Sequence, residues 1–245
     1  MHFAQRLAFI LLAATFASIQ LIGQTSPTPS EIASMQKKLD DWAQLSRYRK
    51  DNAALPAPAA GEQRVVFFGD SITEGWGRSV GTFFPGKSYV NRGISGQTTP
   101  QMLVRFEQDA VHLHPAAILI LAGTNDIAGN TGPSTSEMIE DNFRSMAAVA
   151  QQNSVKVIIA SITPAYSYPW RAGIQPVPVI REVNQWLKGF CASHHLVYLD
   201  YYSAMSDEKG GMKPGLSSDG VHPTAAGYAV MAPLAEAAIQ QALTK

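Results

Sequence analysis

Five residues, far apart in the chain, carry groups suited to acyl transfer. Ser71 follows the run Arg64-Val65-Val66-Phe67-Phe68-Gly69-Asp70, an apolar stretch that predicts a strand ended by glycine. A serine at a strand-to-helix junction places its hydroxyl in a cleft, and the N–H groups of the next turn favour negative charge there. Most serines at such junctions are ordinary helix N-caps. A serine nucleophile needs a base, and histidine, with an unperturbed pKa of about 6.5, has the right proton affinity. His222 lies in Ser218-Asp219-Gly220-Val221-His222-Pro223, so Asp219 is close enough to share one loop and orient the imidazole. Gly220 lets the backbone turn between them. A tetrahedral intermediate also needs hydrogen-bond donors. Asn125 offers a side-chain amide, Gly93 a backbone N–H with no side chain in the way, and Ser71 its own N–H. Asparagine and glycine are common turn residues, so each of these is weak by itself. His112 and His114 flank a helix end, and His194 and His195 sit at a helix C-terminus, where a cation suits the dipole. No histidine or cysteine spacing matches a metal site, and the single Cys191 forbids an internal disulfide. The chemistry proposed here requires neither metal nor organic cofactor.

The elements that must position these residues alternate. Apolar runs predict strands at Arg64–Phe68, Ser88–Asn91, Ala116–Ala122, Val155–Ala160 and Leu196–Asp200. Between and after them, helices are expected over Thr98–Val111, from a Ser134-Thr135-Ser136-Glu137 capping box to Gln152, over Val179–His194 and over Thr224–Leu243. Strands without polar alternation, separated by helices, imply a parallel sheet covered on both faces. Ligands of such sheets bind beyond the carboxyl ends of the strands, and Ser71, Gly93 and Asn125 follow three of them. Upstream, Thr28-Pro29-Ser30-Glu31 is a capping box, and Ile32, Met35, Leu39, Trp42 and Leu45 mark one helical face. Residues 51–63 are rich in Ala and Pro and predict a loop.

Composition narrows the function classes. Apolar residues are 46% of the 245, enough for a substantial core, and charged residues are only 16%, which argues against disorder. Lys+Arg and Asp+Glu are 19 each, so no global field draws the chain to nucleic acid or to an anionic membrane. Residues 1–24 have the form of a secretory signal peptide, with Arg6 before an eleven-residue apolar run, Leu7–Ala17. Export to the periplasm or the medium is expected, with no integral membrane domain after signal removal; an uncleaved N-terminal membrane anchor is the alternative. Residues 25–63 would then be linker and N-terminal helix, and 64–245 the functional domain.

Four ordered blocks resemble the SGNH (GDSL-type) hydrolases. They are Gly69-Asp70-Ser71 within Phe-Phe-Gly-Asp-Ser-Ile-Thr-Glu-Gly-Trp, then Asn91-Arg92-Gly93 with Gly96 close behind, Gly123-Thr124-Asn125-Asp126, and Asp219-Gly220-Val221-His222-Pro223. The resemblance implies a flavodoxin-like three-layer α/β/α sandwich with a five-stranded parallel sheet. It implies Ser71 as nucleophile, His222 as general base and acid, Asp219 as its orienting carboxylate, and Ser71, Gly93 and Asn125 as the oxyanion hole. The first block and Gly96–Phe106 are similar to the platelet-activating-factor acetylhydrolase-like branch, which favours small acyl groups. Asp70 and Asp126 are expected to act structurally, Asp70 around the serine turn and Asp126 as a cap of the following segment.

The expected activity is therefore hydrolysis of short-chain, chiefly acetyl, esters of small molecules or carbohydrates. Lysophospholipase or thioesterase action on longer chains is the alternative, and a noncatalytic carbohydrate-binding protein on the same fold is a remote one. Tyr166, Tyr168 and Trp170, in a loop expected over 163–177, would either wall the substrate pocket or pack on the core.

Overall fold

A computed structural model describes residues 26–244, and the signal-peptide expectation for residues 1–24 lies outside them. The described residues divide into two compact units between Asp40 and Asp41. The first holds α1 (Pro29–Asp40). Its capping box forms, with Thr28 N donating to Glu31 Oε2 at 2.7 Å and Glu31 N to Thr28 Oγ1 at 3.3 Å. The helix was expected to continue through Trp42 and Leu45, but it ends at Asp40. The carboxylate of Asp41 accepts from Leu45 N at 2.6 Å and Ser46 N at 3.0 Å, which offers the backbone a closed turn in place of another helical one.

The second unit contains α2 (Arg49–Ala54), β1 (Val65–Gly69), α3 (Ser71–Gly75), β2 (Tyr89–Gly93) and α4 (Thr99–Asp109). After a short 3-10 turn follow β3 (Ala117–Leu121), α5 (Thr124–Ile127), α6 (Ser136–Gln152), β4 (Lys156–Ala160) and α7 (Pro176–Ser193). The chain closes with β5 (Val197–Leu199), α8 (Tyr201–Met205) and α9 (Ala225–Thr244). The strands form one five-stranded sheet in the order β2-β1-β3-β4-β5, every pair parallel. This is the flavodoxin-like order, in a three-layer sandwich.

Strand periodicity explains the layers. Val66 and Phe68, Ile118 and Ile120, and Val157 and Ile159 face one core, shared with Met102 and Phe106 of α4, Phe143 of α6 and Leu187 of α7. The alternate residues Val65 and Phe67, Ala117 and Leu119, and Ile158 and Ala160 face the other, shared with Tyr201 of α8 and Met231 and Ile239 of α9. Both faces are covered, so the strands have no polar alternation.

Local differences from the sequence reading are few. α2 occupies the start of the expected loop, α7 begins three residues early at Pro176, and α8 was not anticipated. α8 is only five residues long and too short for a readable periodicity, but Asp200 caps it by accepting from Ser203 N at 2.9 Å. The N-cap of α6 is Thr135, one residue beyond the expected Ser134.

Segment 41–55 is tied to the sheet unit through side chains. Tyr48 Oη donates to the Gly93 carbonyl, Gln97 Nε2 to Ala43 O at 2.8 Å, and Asn52 Nδ2 to Asp109 Oδ1 at 2.7 Å. It therefore buttresses the carboxyl end of β2. The strand order reverses at β1, whose neighbours are β2 and β3. A crevice beyond the ends of β1 and β3 follows from that topology.

Candidate active site

At that crevice β1 ends in Gly69, and the Asp70 carboxylate accepts from Ile72 N at 2.9 Å, starting α3 with Ser71 as its first residue. The partner loop precedes α9. Asp219 Oδ1 accepts from Val221 N at 2.9 Å and His222 N at 2.8 Å, a tight turn that Gly220 permits with φ +84°. This turn aims the imidazole at Ser71. Ser71 Oγ and His222 Nε2 are 2.9 Å apart, and His222 Nδ1 and Asp219 Oδ2 are 2.6 Å apart. Burial alone would raise the Asp219 pKa, but the His222 ring and the two backbone N–H donors outweigh it and hold it down at about 2. An ionised carboxylate can only accept. Nδ1 therefore donates to it, and in the neutral imidazole the Nε2 lone pair can then accept from the serine hydroxyl.

The expected donors are placed differently from one another. Ser71 N makes no backbone hydrogen bond among the described residues. Asn125 reaches the crevice from the start of α5, with Nδ2 donating to Gln97 O at 3.0 Å and to Asp70 Oδ2 at 3.3 Å. Gly93 does not present a free donor: its N–H goes to Asn91 Oδ1 at 2.9 Å. A Cβ there would lie 2.1 Å from Glu74 N, so this glycine serves the close approach of β2 to α3. Three residues on, Gly96 is exposed in a turn with φ +78°, and its N–H has no acceptor among the described residues. The preceding Ser95 lines the same cleft as Ser71. The Gly96 carbonyl accepts from Asn130 Nδ2 at 3.2 Å, and the same amide donates to Asn125 Oδ1 at 2.8 Å. Asn130 was not singled out in the sequence, because nothing local marks a side chain that links two turns.

Beneath the crevice lie two buried acids. Burial pushes the pKa of Asp70 up to about 6 against the Ile72 N–H bond. It does the same to Asp126, also to about 6, against bonds from Thr99, whose N is 2.9 Å and Oγ1 2.6 Å from the carboxylate. Asp126 thus anchors the start of α4, where a cap of the segment following it had been expected.

With this geometry in place, the comparisons with known proteins are direct. Residues 67–230 match the GDSL-like lipase/acylhydrolase family. The chain belongs to this family. It is 43% identical to a solved structure from Bacteroides fragilis NCTC 9343, covering 82% of this chain and 98% of that one at a TM-score of 0.80. It is 42% identical to a GDSL-like lipase from Bacteroides thetaiotaomicron VPI-5482, covering 82% and 99% at a TM-score of 0.79. An acetylxylan esterase of Geobacillus stearothermophilus is 27% identical over 204 residues, 69% of this chain and 90% of that protein. The uncharacterized lipoprotein YqeF of Bacillus subtilis is 29% identical over 171 residues, and the chain spans 61% of its length. The protein is a carboxylic ester hydrolase.

In this GDSL-like hydrolase the cleft holding Ser71 and His222 has a volume of about 390 Å³ and is bordered by Arg47, Glu74, Arg78 and Tyr228. The aromatic loop divides its residues. Tyr168 is buried in the core, Tyr166 is exposed, and Trp170 sits beside the site with its ring centroid 6.1 Å from that of His222. Trp170 Nε1 donates to Asn130 Oδ1 at 3.1 Å, which joins the loop to the donor turns. The core-packing reading of the loop holds for Tyr168.

Proposed function

We propose that the hydrolase cleaves short-chain, chiefly acetyl, esters of carbohydrates by a two-step serine mechanism. One observation carries this reading, the hydrogen-bonded relay Ser71–His222–Asp219. Ser71 Oγ attacks the acyl carbon while His222 Nε2 takes its proton, and Asp219 stabilises the imidazolium. His222 returns the proton to the leaving alcohol. Water then attacks the acyl-enzyme by the same route and releases the acid. The N–H groups of Ser71 and Gly96 and the Asn125 amide stabilise the oxyanion, with Gly96 taking the place first expected for Gly93. The acetyl preference is supported by the likeness to an acetylxylan esterase, and a carbohydrate alcohol by the half-exposed Trp170 ring beside His222, a surface suited to a sugar face.

Export is proposed with it. The charged start and apolar run of residues 1–24 and the likeness to a lipoprotein support this, and no helix among the described residues is long and apolar enough to cross a membrane. The expected limit between residues 63 and 64 does not coincide with the division into units, because residues 41–63 fold with the sheet unit.

The test is a p-nitrophenyl ester series together with acetate release from acetylated xylan. Maximal kcat/KM at two acyl carbons, lost by at least about a thousandfold in a folded Ser71→Ala variant, is expected. A maximum at eight or more carbons would replace this reading with a lipase or thioesterase one, and retained activity in Ser71→Ala would remove the serine mechanism.

A further inference from the structure

Charge at the mouth of the cleft is unevenly engaged. Glu74 stands between two arginines, but its carboxylate is already engaged. Oε1 accepts from Arg47 Nη2 at 2.9 Å, and Oε2 accepts from Ser95 N at 2.8 Å and Ser95 Oγ at 2.5 Å. Arg78 lies 3.9 Å from Oε1, beyond hydrogen-bond reach. Its guanidinium has no hydrogen-bond acceptor among the described residues, yet it is not adrift. Its Cζ is 5.4 Å from the centroid of the Tyr48 ring, and Tyr48 is itself fully buried and anchored on Gly93 O. The side chain is 40% exposed and lines the cleft together with Ser71 and His222. Among the residues lining the cleft two guanidinium groups face one carboxylate, with the ionised Asp219 behind His222, so what sets Arg78 apart is a charged fork of donors that no acceptor among the described residues engages.

We infer that the preferred substrates are acyl esters whose parent molecule carries a carboxylate, and that Arg78 pairs with that carboxylate. O-acetylated uronic-acid sugars join such an anion to a ring that Trp170 can face. The inference rests on the ester-hydrolysis reading above and narrows it. A planar guanidinium presents a fork of donors that fits a carboxylate with two parallel bonds, whereas an ammonium does not. The site is half open to water, so the attraction weakens with salt.

A matched pair of probes separates the possibilities: methyl O-acetyl-glucuronide and methyl O-acetyl-glucoside, acetylated at the same position. Acetate release is measured for the wild-type protein, Arg78→Ala and Arg78→Lys. The expected wild-type ratio of kcat/KM, glucuronide over glucoside, is at least about tenfold, the size of one charge-assisted hydrogen bond. It should collapse toward unity in Arg78→Ala, recover only in part in Arg78→Lys, and fall with added salt. A wild-type ratio near one, or a ratio indifferent to Arg78→Ala, overturns the inference. Titration of methyl glucuronide by NMR distinguishes the two layers of reasoning. If no ester is cleaved but the glucuronide still binds in an Arg78-dependent way, the ester-hydrolysis reading falls and the anion site stands. If esters are cleaved and Arg78→Ala does not weaken glucuronide binding, the reverse holds.

Discussion

Arg105 is the side chain on which the two edges of the crevice converge, and replacing it is the most informative stability experiment. It is fully buried on α4. Nη2 donates to Gly69 O at 3.0 Å, just before the Asp70–Ser71 turn, and Nη1 to Arg92 O at 2.9 Å, near the end of β2. Nε reaches Gln97 Oε1 at 2.5 Å, and the Gln97 carbonyl is the acceptor of Asn125. Below the guanidinium, 4.1 Å from Cζ, lies the Phe68 ring, and beside it, at 3.5 Å, the buried carboxylate of Asp109. Burial lowers the Arg105 pKa to about 10 against the opposing pull of Asp109, so the group is charged at neutral pH. Arg105→Met keeps an unbranched apolar stem but leaves Asp109 with only the Asn52 and Gln108 amides, at 2.7 and 3.2 Å. Removing one member of a buried ion pair costs about 3–5 kcal/mol, which for a domain of this size lowers the melting midpoint by about 6–20 °C. Urea unfolding followed by tryptophan fluorescence, with calorimetry beside it, reads the loss. The double variant Arg105→Met/Asp109→Leu should regain part of it, because no uncompensated charge then remains although Gly69 O, Arg92 O and Gln97 Oε1 still lack their donor. A single variant within about 1 kcal/mol of the wild type, or a double variant no better than the single, would refute the reasoning.

Three further outcomes are expected. Asn125→Ala should lower kcat by about a hundred- to a thousandfold with little change in KM, and a loss under tenfold would take the amide out of the oxyanion hole. Asn130→Ala should lower kcat by about 10- to 100-fold through misplacement of Asn125 and the Gly96 turn, while unfolding curves stay close to wild type; unchanged kcat would show that Asn130 positions nothing. Asp126, raised by burial to about 6, binds its proton more tightly in the folded chain than in the unfolded one. Its stabilising contribution is therefore complete below the ordinary aspartate range and is lost as pH rises through about 6. Asp126→Asn should gain stability relative to the wild type between pH 4 and pH 7, as read by unfolding at each pH; a constant difference across that range would contradict the raised pKa.

The relay residues were legible because each stands in a short motif whose local geometry is decided nearby. Asp219, Gly220 and His222 share one turn, and the carboxylate and the ring meet through bonds that span three residues. The strands were legible because a sheet covered on both faces leaves continuous apolar runs. The end of α1 was misread because the Asp41 carboxylate competes with the helix in a way that periodicity does not register. Gly93 was assigned to the oxyanion hole on residue type and on the resemblance of its Asn91-Arg92-Gly93 block. Whether a backbone N–H is free depends on its acceptor, here Asn91, and on how closely α3 approaches β2.

What the residues determined by themselves was the set of chemical groups, their order along the chain and the layered sheet that carries them, since these follow from side-chain identity and from period. What only the tertiary structure decided was which groups face one another: Ser71 against His222 across 151 residues of chain, Arg105 joining β1 to β2, Asn130 bridging two turns, and Arg78 without a hydrogen-bond acceptor among the described residues in the cleft of Ser71. Distances of a few ångströms between remote segments arise from the packing of whole layers, and no local window of sequence contains that information.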